Sequence, residues 1–279
     1  MRNRIAAVSY LNTIPFIYGI EHAGAGLHAE LLLSPPRGCA EALRDGKADL
    51  ALIPVAAIPG ISDLRIVTPY CIGASGPVRT VVLASADPLE NVDTVYLDSH
   101  SLTSVRLVRL LAAKLWKREF RWRELDDFSV LDDPNPRTGY VIIGDKVFAR
   151  EAAFRYRYDL AEQWRLLTGL PFVFAAWVAR GGVPEATVDS LTEALAYGTA
   201  HIDEAIRPTI SLPMNSVRPS VCARLSDPEY RFRFRRAEAS GDGALLGGGT
   251  PHRASDQSRL NFPLKARAGK GKPSPIAHF

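Results

Sequence analysis

The chain is short of the residues that build metal centres, disulfide frameworks and membrane spans. Cys39, Cys71 and Cys222 are an odd number of cysteines at wide, unpatterned spacing, which offers neither a disulfide framework nor a zinc site. The six histidines are scattered, with no His-x-x-x-His or Glu-x-x-His arrangement, so no metal is expected. No run approaches the roughly 20 apolar residues that span a bilayer. Met1-Arg2-Asn3-Arg4 leads straight into a strand pattern without an apolar leader or cleavage site, so a cytoplasmic protein without a membrane partner is expected. The formal charge of +4 is modest, and much of the basic excess lies in the last third. Before Arg207 no basic stripe with interleaved aromatics marks a nucleic-acid surface. Arg118, Arg121 and Arg123 alternate with Phe120 and Trp122, but Glu119, Glu124, Asp126 and Asp127 neutralise them, and the stretch reads as a solvated strand edge.

What is present is a 279-residue chain, 47% hydrophobic, enough for a sizeable core in one large or two small domains. The most informative stretch is Ser9-Tyr10-Leu11-Asn12-Thr13-Ile14-Pro15, directly after the apolar run Ile5-Ala6-Ala7-Val8. It reads as a buried strand ending in small polar residues where a helix begins. In an open α/β sheet ligands bind at that end of the strand, beside the free N–H groups of the first helical turn. Asn12 offers both a donor and an acceptor, which suits orienting a polar ligand. A plain helix N-cap from Ser9, Asn12 or Thr13 is the structural alternative.

Further along, a strand at Leu31-Leu32-Leu33, a helix around Cys39 to Arg44, a cap at Gly46 and a strand over Asp49 to Pro54 make a compact βαβ unit. Arg65 to Val67 runs through Gly73 and Gly76-Pro77 to a strand-like Val78 to Ala84, as a crossing between lobes requires. The strand Thr94 to Asp98 ends in Ser99-His100-Ser101-Leu102-Thr103-Ser104, before an amphipathic helix from about Val105 to Trp116. Capping needs one hydroxyl there. Four in six residues exceed that need and point to a carboxylate site as readily as to a cap. Tyr140 to Asp145 is a strand ending in Gly144-Asp145, where Gly144 lets the backbone approach a ligand and Asp145 serves as a ligand contact or as the cap of the next helix. Trp164 is expected in the core of a helix over Leu160 to Leu167. A strand follows over Pro171 to Val178, then helices from Pro184 to about Ala196 and on to about Ile206.

Taken together, Ser9 to Pro15, Ser75-Gly76-Pro77-Val78-Arg79 and Ile143-Gly144-Asp145-Lys146 resemble the chorismate dehydratases of the futalosine route to menaquinone, from about Arg4 to about Ile206. The order and spacing of these motifs carry the resemblance, since none is specific alone. It implies an α/β, two-lobed fold of the periplasmic-binding-protein type II kind. Lobe 1 then takes residues 1–73 and 172–207, lobe 2 residues 74–171, and the strand near Phe172 is the return path. It implies a lyase that converts chorismate to 3-[(1-carboxyvinyl)oxy]benzoate and water, with Asn12 and Ser75 as the catalytic pair. An amide is no strong base, so Asn12 is read as orienting the substrate while its enolpyruvyl carboxylate takes the proton. The candidate binding residues are Ser9, Tyr10, Thr13, Ser101, Thr103, Ser104, Gly144 and Asp145, with Arg79 and Arg106 as weaker partners for a carboxylate. Because the product is aromatic, no cofactor is required; the partner is the small molecule, and nothing sets an oligomeric state.

Two alternatives stand beside this reading. A cytoplasmic anion-binding or sensor protein on the same scaffold would use the same hydroxyls. A transcription-factor effector domain would need a helix-turn-helix segment, and none is recognisable. After Arg207 the character changes: residues 208–279 are rich in Pro, Gly, Ser and Arg and lack a sustained period. Either this is a disordered basic tail, or the reading frame has shifted near Arg207. Codons for Arg224 to Arg235 and Leu246 to Ser255, read one nucleotide forward, can spell segments with helical spacing that resemble the family's C-terminal helices. In that case lobe 1 lacks its closing helices.

Overall fold

The computed structural model describes residues 2–144 and 146–210; Asp145 and residues 211–279, which hold nearly all of the expected tail, lie outside the described residues. Two five-stranded sheets carry the described residues. The first contains β1 (Asn3–Val8), β2 (Ala29–Ser34), β3 (Leu50–Pro54), β4 (Leu64–Ala74) and β10 (Phe172–Arg180) in the order β2-β1-β3-β10-β4. The second contains β5 (Val81–Ser85), β6 (Thr94–Asp98), β7 (Arg121–Leu125), β8 (Thr138–Ile143) and β9 (Tyr156–Asp159) in the order β7-β6-β8-β5-β9. Each sheet has its own apolar core.

The strand pattern explains their positions. β3 is buried at every residue and sits mid-sheet, as a continuous apolar run should. β7, with charged residues at three of its five positions, forms an edge beside β6. β1 pairs in parallel with β2 and β3, and β6 with β7 and β8, so the carboxyl ends of β1 and β3, and of β6 and β8, share an edge within each sheet. β10 runs antiparallel to both β3 and β4 and returns the chain to the first sheet.

Helices α1 (Ile14–Ala23), α2 (Pro36–Arg44), α3 (Thr103–Leu111), α4 (Lys146–Ala149), α5 (Leu160–Thr168), α6 (Glu185–Ala200) and α7 (Ile202–Ile210) cover the sheets. α3 gives way to a π-helical turn over Ala112–Trp116. Gly46 follows α2 with φ +70°, and Gly169 ends α5 with φ +74°. α1 and α6 touch backbone to backbone: a Cβ on Gly198 would stand 1.8 Å from the Pro15 carbonyl oxygen, and one on Gly19 would stand 1.9 Å from that of Ala194.

One expected strand starts late. Val78 to Thr80 is not part of β5, because the Val78 and Arg79 amides donate to the Asp159 carboxylate instead of to a neighbouring strand, and Arg79 takes φ +58°. β9, which carries that aspartate, was not foreseen.

Candidate active site

A cavity of about 80 Å³ opens where the strand ends of the two sheets meet. One buried water takes about 10–15 Å³ on such a scale, so this is room for roughly half a dozen waters, the bulk of a small organic acid. Tyr10 and Asn12 come from the turn after β1, Pro36 from the start of α2 and Pro54 from the end of β3. Ser101, Leu102, Thr103 and Ser104 come from the β6–α3 junction, Gly144 from the end of β8, and Val78 and Thr80 from the crossing between sheets. Among the described lining residues none is charged.

Asn12 is the most telling of these. Its Oδ1 is buried and receives no hydrogen bond from the described residues. An unpaired buried acceptor costs about 1–3 kcal/mol, and a ligand that brings an O–H or N–H relieves that cost. Gly144 has φ +68°, and a Cβ there would lie 3.1–3.3 Å from the Tyr10 ring, so only glycine lets the end of β8 close on that ring. Ser101 Oγ, one residue before the N-cap Leu102, accepts from the Ser104 amide at 3.2 Å in the first turn of α3, leaving its own O–H to donate. The Ser104 side chain is buried at the same wall.

Other expected residues have different work. Thr103 lines the cavity, but its hydroxyl donates to the Phe174 carbonyl at 2.9 Å and receives the Ala56 amide at 3.4 Å, tying α3 to the first sheet. Thr13 is fully buried and absent from the lining; its hydroxyl donates to the carbonyls of Val8 and Tyr10, holding the turn that presents Asn12. Ser9 is exposed and outside the lining. Ser75 is likewise exposed and outside it, its carbonyl receiving the Arg165 guanidinium. Arg79 and Arg106 are both exposed and line nothing here. Asp145 lies outside the described residues.

Thr80 is the hydroxyl that sequence reasoning missed. It is buried at the cavity wall, where its hydroxyl donates to the Val78 carbonyl at 3.3 Å, and its own carbonyl accepts the Gly144 amide at 2.8 Å. It precedes β5, where the carboxyl-end rule does not look. β5 runs antiparallel to β8, so its start meets the end of β8 at one sheet edge.

Two buried carboxylates stand just outside the cavity. Asp98, fully buried at the end of β6, accepts from Lys146 Nζ at 2.5 Å and from the His100 amide at 3.0 Å, and the Lys146 ammonium also lies 3.9 Å from the centre of the Phe128 ring. Asp159 caps α5; burial pushes its pKa up, against the downward pull of four amide donors. Arg37 of α2, next to the lining residue Pro36, donates to the Ser99 carbonyl at 3.4 Å and pairs with Glu41. Among the described residues no group of His, Cys, Asp and Glu is placed to hold a metal, and no helix is long and apolar enough to cross a membrane.

Comparison with known proteins gives the architecture a context. A family model described as menaquinone biosynthesis matches residues 3–212. Protein AF1704 from Archaeoglobus fulgidus superposes with a TM-score of 0.59 at 14% identity, over 82% of this chain and 84% of that one. The ligand-binding component of an ABC-type import system from Staphylococcus aureus, solved with zinc bound, gives 0.57 at 13% identity over 80% and 83%. The Candida albicans CA3427 product, described as having the generic periplasmic binding protein fold, gives 0.50 at 13% identity over 76% of each chain. At such identities these structures speak for the fold, which is the periplasmic-binding-protein-like α/β fold with two sheets.

Proposed function

Since the chain belongs to the menaquinone biosynthesis family, we propose that it is a lyase, a chorismate dehydratase, forming 3-[(1-carboxyvinyl)oxy]benzoate and water. The observation that carries this reading is Asn12: a side chain at the wall of the cavity with a buried acceptor left unpaired among the described residues. Chorismate brings a ring hydroxyl able to donate to it. Its carboxylates find O–H donors at Ser101 and Ser104 and the amides at the start of α3.

In the reaction the C3 proton leaves to the substrate's own enolpyruvyl carboxylate, the C–H electrons enter the ring, and the C4–O bond breaks. The departing hydroxide takes that proton and leaves as water, so atoms and charge balance. Aromatisation supplies the driving force, and the protein's part is orientation and support of developing charge. Asn12 aims the ring, while the Thr80 hydroxyl, in place of the expected Ser75, turns from its long bond to the Val78 carbonyl and donates towards the departing oxygen. The absence of His, Glu or Asp from the described lining fits a reaction in which the substrate supplies the base.

The same absence also favours a second reading, passive capture of a small anion. Incubating purified protein with chorismate while following absorbance of an aromatic product separates the two. Product formation that is abolished in Asn12→Ala supports the lyase; saturable binding with no product overturns it.

A further inference from the structure

Asp159 is a buried carboxylate that the proposed chemistry does not use, and its contacts exceed what its position on α5 requires. Oδ1 receives the Ala161 and Glu162 amides at 3.0 and 3.2 Å, an ordinary N-cap that serine or asparagine would also supply. Oδ2 receives two more amides from a remote segment, Val78 at 2.7 Å and Arg79 at 2.6 Å. Four N–H donors from two segments converge on one side chain. A carboxylate, with two acceptor oxygens, satisfies all of them; an amide or hydroxyl has one oxygen to offer.

The segment so held is the crossing between the sheets, and it forms part of the cavity wall through Val78 and Thr80. Between them Arg79 sits at φ +58°, a left-handed conformation that a non-glycine residue keeps only when its surroundings hold it. Further along α5, Arg165 reaches the Ser75 carbonyl at the start of the same crossing. Trp164 Nε1 donates at 3.2 Å to the Pro171 carbonyl, on the return path to β10. α5 therefore grips both inter-sheet connections, and Asp159 is the grip that binds a residue of the cavity wall, Val78.

We propose that Asp159 is a positioning residue that pins Val78–Arg79 to the start of α5 and thereby sets the Thr80 hydroxyl at the cavity. Its catalytic readout rests on the dehydratase reading; its anchoring does not.

The test compares the parent protein with Asp159→Ser and Asp159→Asn. Both variants keep an acceptor for the first turn of α5, and neither can hold four amides. Turnover of chorismate is expected to fall at least about tenfold in kcat with KM within about threefold. Amide hydrogen exchange in residues 76–81, followed by mass spectrometry, is expected to accelerate about tenfold or more while α5 stays protected. Parental kcat and exchange in Asp159→Ser would reduce the residue to a helix cap and overturn the proposal. So would a kcat loss that vanishes on cooling to a temperature where the variant is fully folded. If the parent forms no aromatic product, the dehydratase reading falls, and the exchange comparison alone decides the anchoring: unchanged exchange at 76–81 overturns it.

Discussion

Replacing Gly198 by alanine is expected to destabilise this protein, although alanine is the better helix former. In an open helix the change would gain about 1 kcal/mol from backbone entropy and solvation. Here the added carbon would stand 1.8 Å from the Pro15 carbonyl oxygen, where ordinary contact begins at 3.4 Å. The obstruction is backbone on both helices, so no side chain can rotate away and the α1–α6 seam must open. Overpacking costs about 1–3 kcal/mol, and an obstacle that cannot move belongs at the upper end of that range. The net loss is then about 2 kcal/mol, and the melting temperature should fall by roughly 4–8 °C for a folded region of this size. Thermal unfolding followed by circular dichroism measures it. Gly60→Ala, with nothing within 4 Å of the new carbon, is the control and should be neutral or slightly stabilising. Because α1 begins two residues after Asn12, the opened seam should also lower chorismate turnover. A Gly198→Ala protein as stable as its parent would refute the backbone contact, and with it the account of how α1 is held.

Three further outcomes are expected. Thr80→Val should reduce turnover by about 10²-fold or more, in the range of a lost donor to developing charge, whereas Ser75→Ala should leave kcat near the parental value; the reverse order would restore Ser75 to the site. Asp49, bound by the Arg4 guanidinium and amide, has its pKa held below the ordinary carboxylate value, chiefly by the Arg4 side-chain hydrogen bond. Its stabilising contribution is thus complete above the unfolded-state value near 3.8 and fades as pH falls through the lower folded value; acid unfolding should show the parent's advantage over Asp49→Asn shrinking below about pH 4, and an advantage that grew there would contradict the pairing. For the region after Arg207, sequencing the gene tests the proposed shift: an intact frame with no usable overlapping codons ends that idea.

Much of the architecture is written in local pattern. The fully apolar β3 had to be an inner strand, and the turn from Ser9 to Pro15 after a buried run had to lie at a strand end, because side-chain period and turn chemistry act over a few residues. For the same reason the hydroxyl-rich junction after β6 and the glycine after β8 were legible as cavity-facing segments, and both line it. Which hydroxyl on such a segment faces the ligand was not legible. Thr13 and Thr103 turn theirs to backbone carbonyls, Ser101 accepts an amide from the first turn of α3 and Ser75 lies outside, and each outcome depends on which neighbours the fold supplies.

Two features were decided by tertiary structure alone. Thr80 reaches the site because β5 runs antiparallel to β8, a direction that strand composition does not encode. The Val78–Arg79 crossing takes its shape from Asp159, 81 residues beyond Val78 in the chain, because both of its amides find an acceptor in that buried carboxylate. Sequence determined most strands and helices and the segments that meet at the cavity, since those follow from local periodicity, while the two-lobed class of fold was implied by the resemblance its motifs carry. Tertiary structure selected the atoms, since hydrogen bonds between distant segments are settled only once the chain has closed on itself.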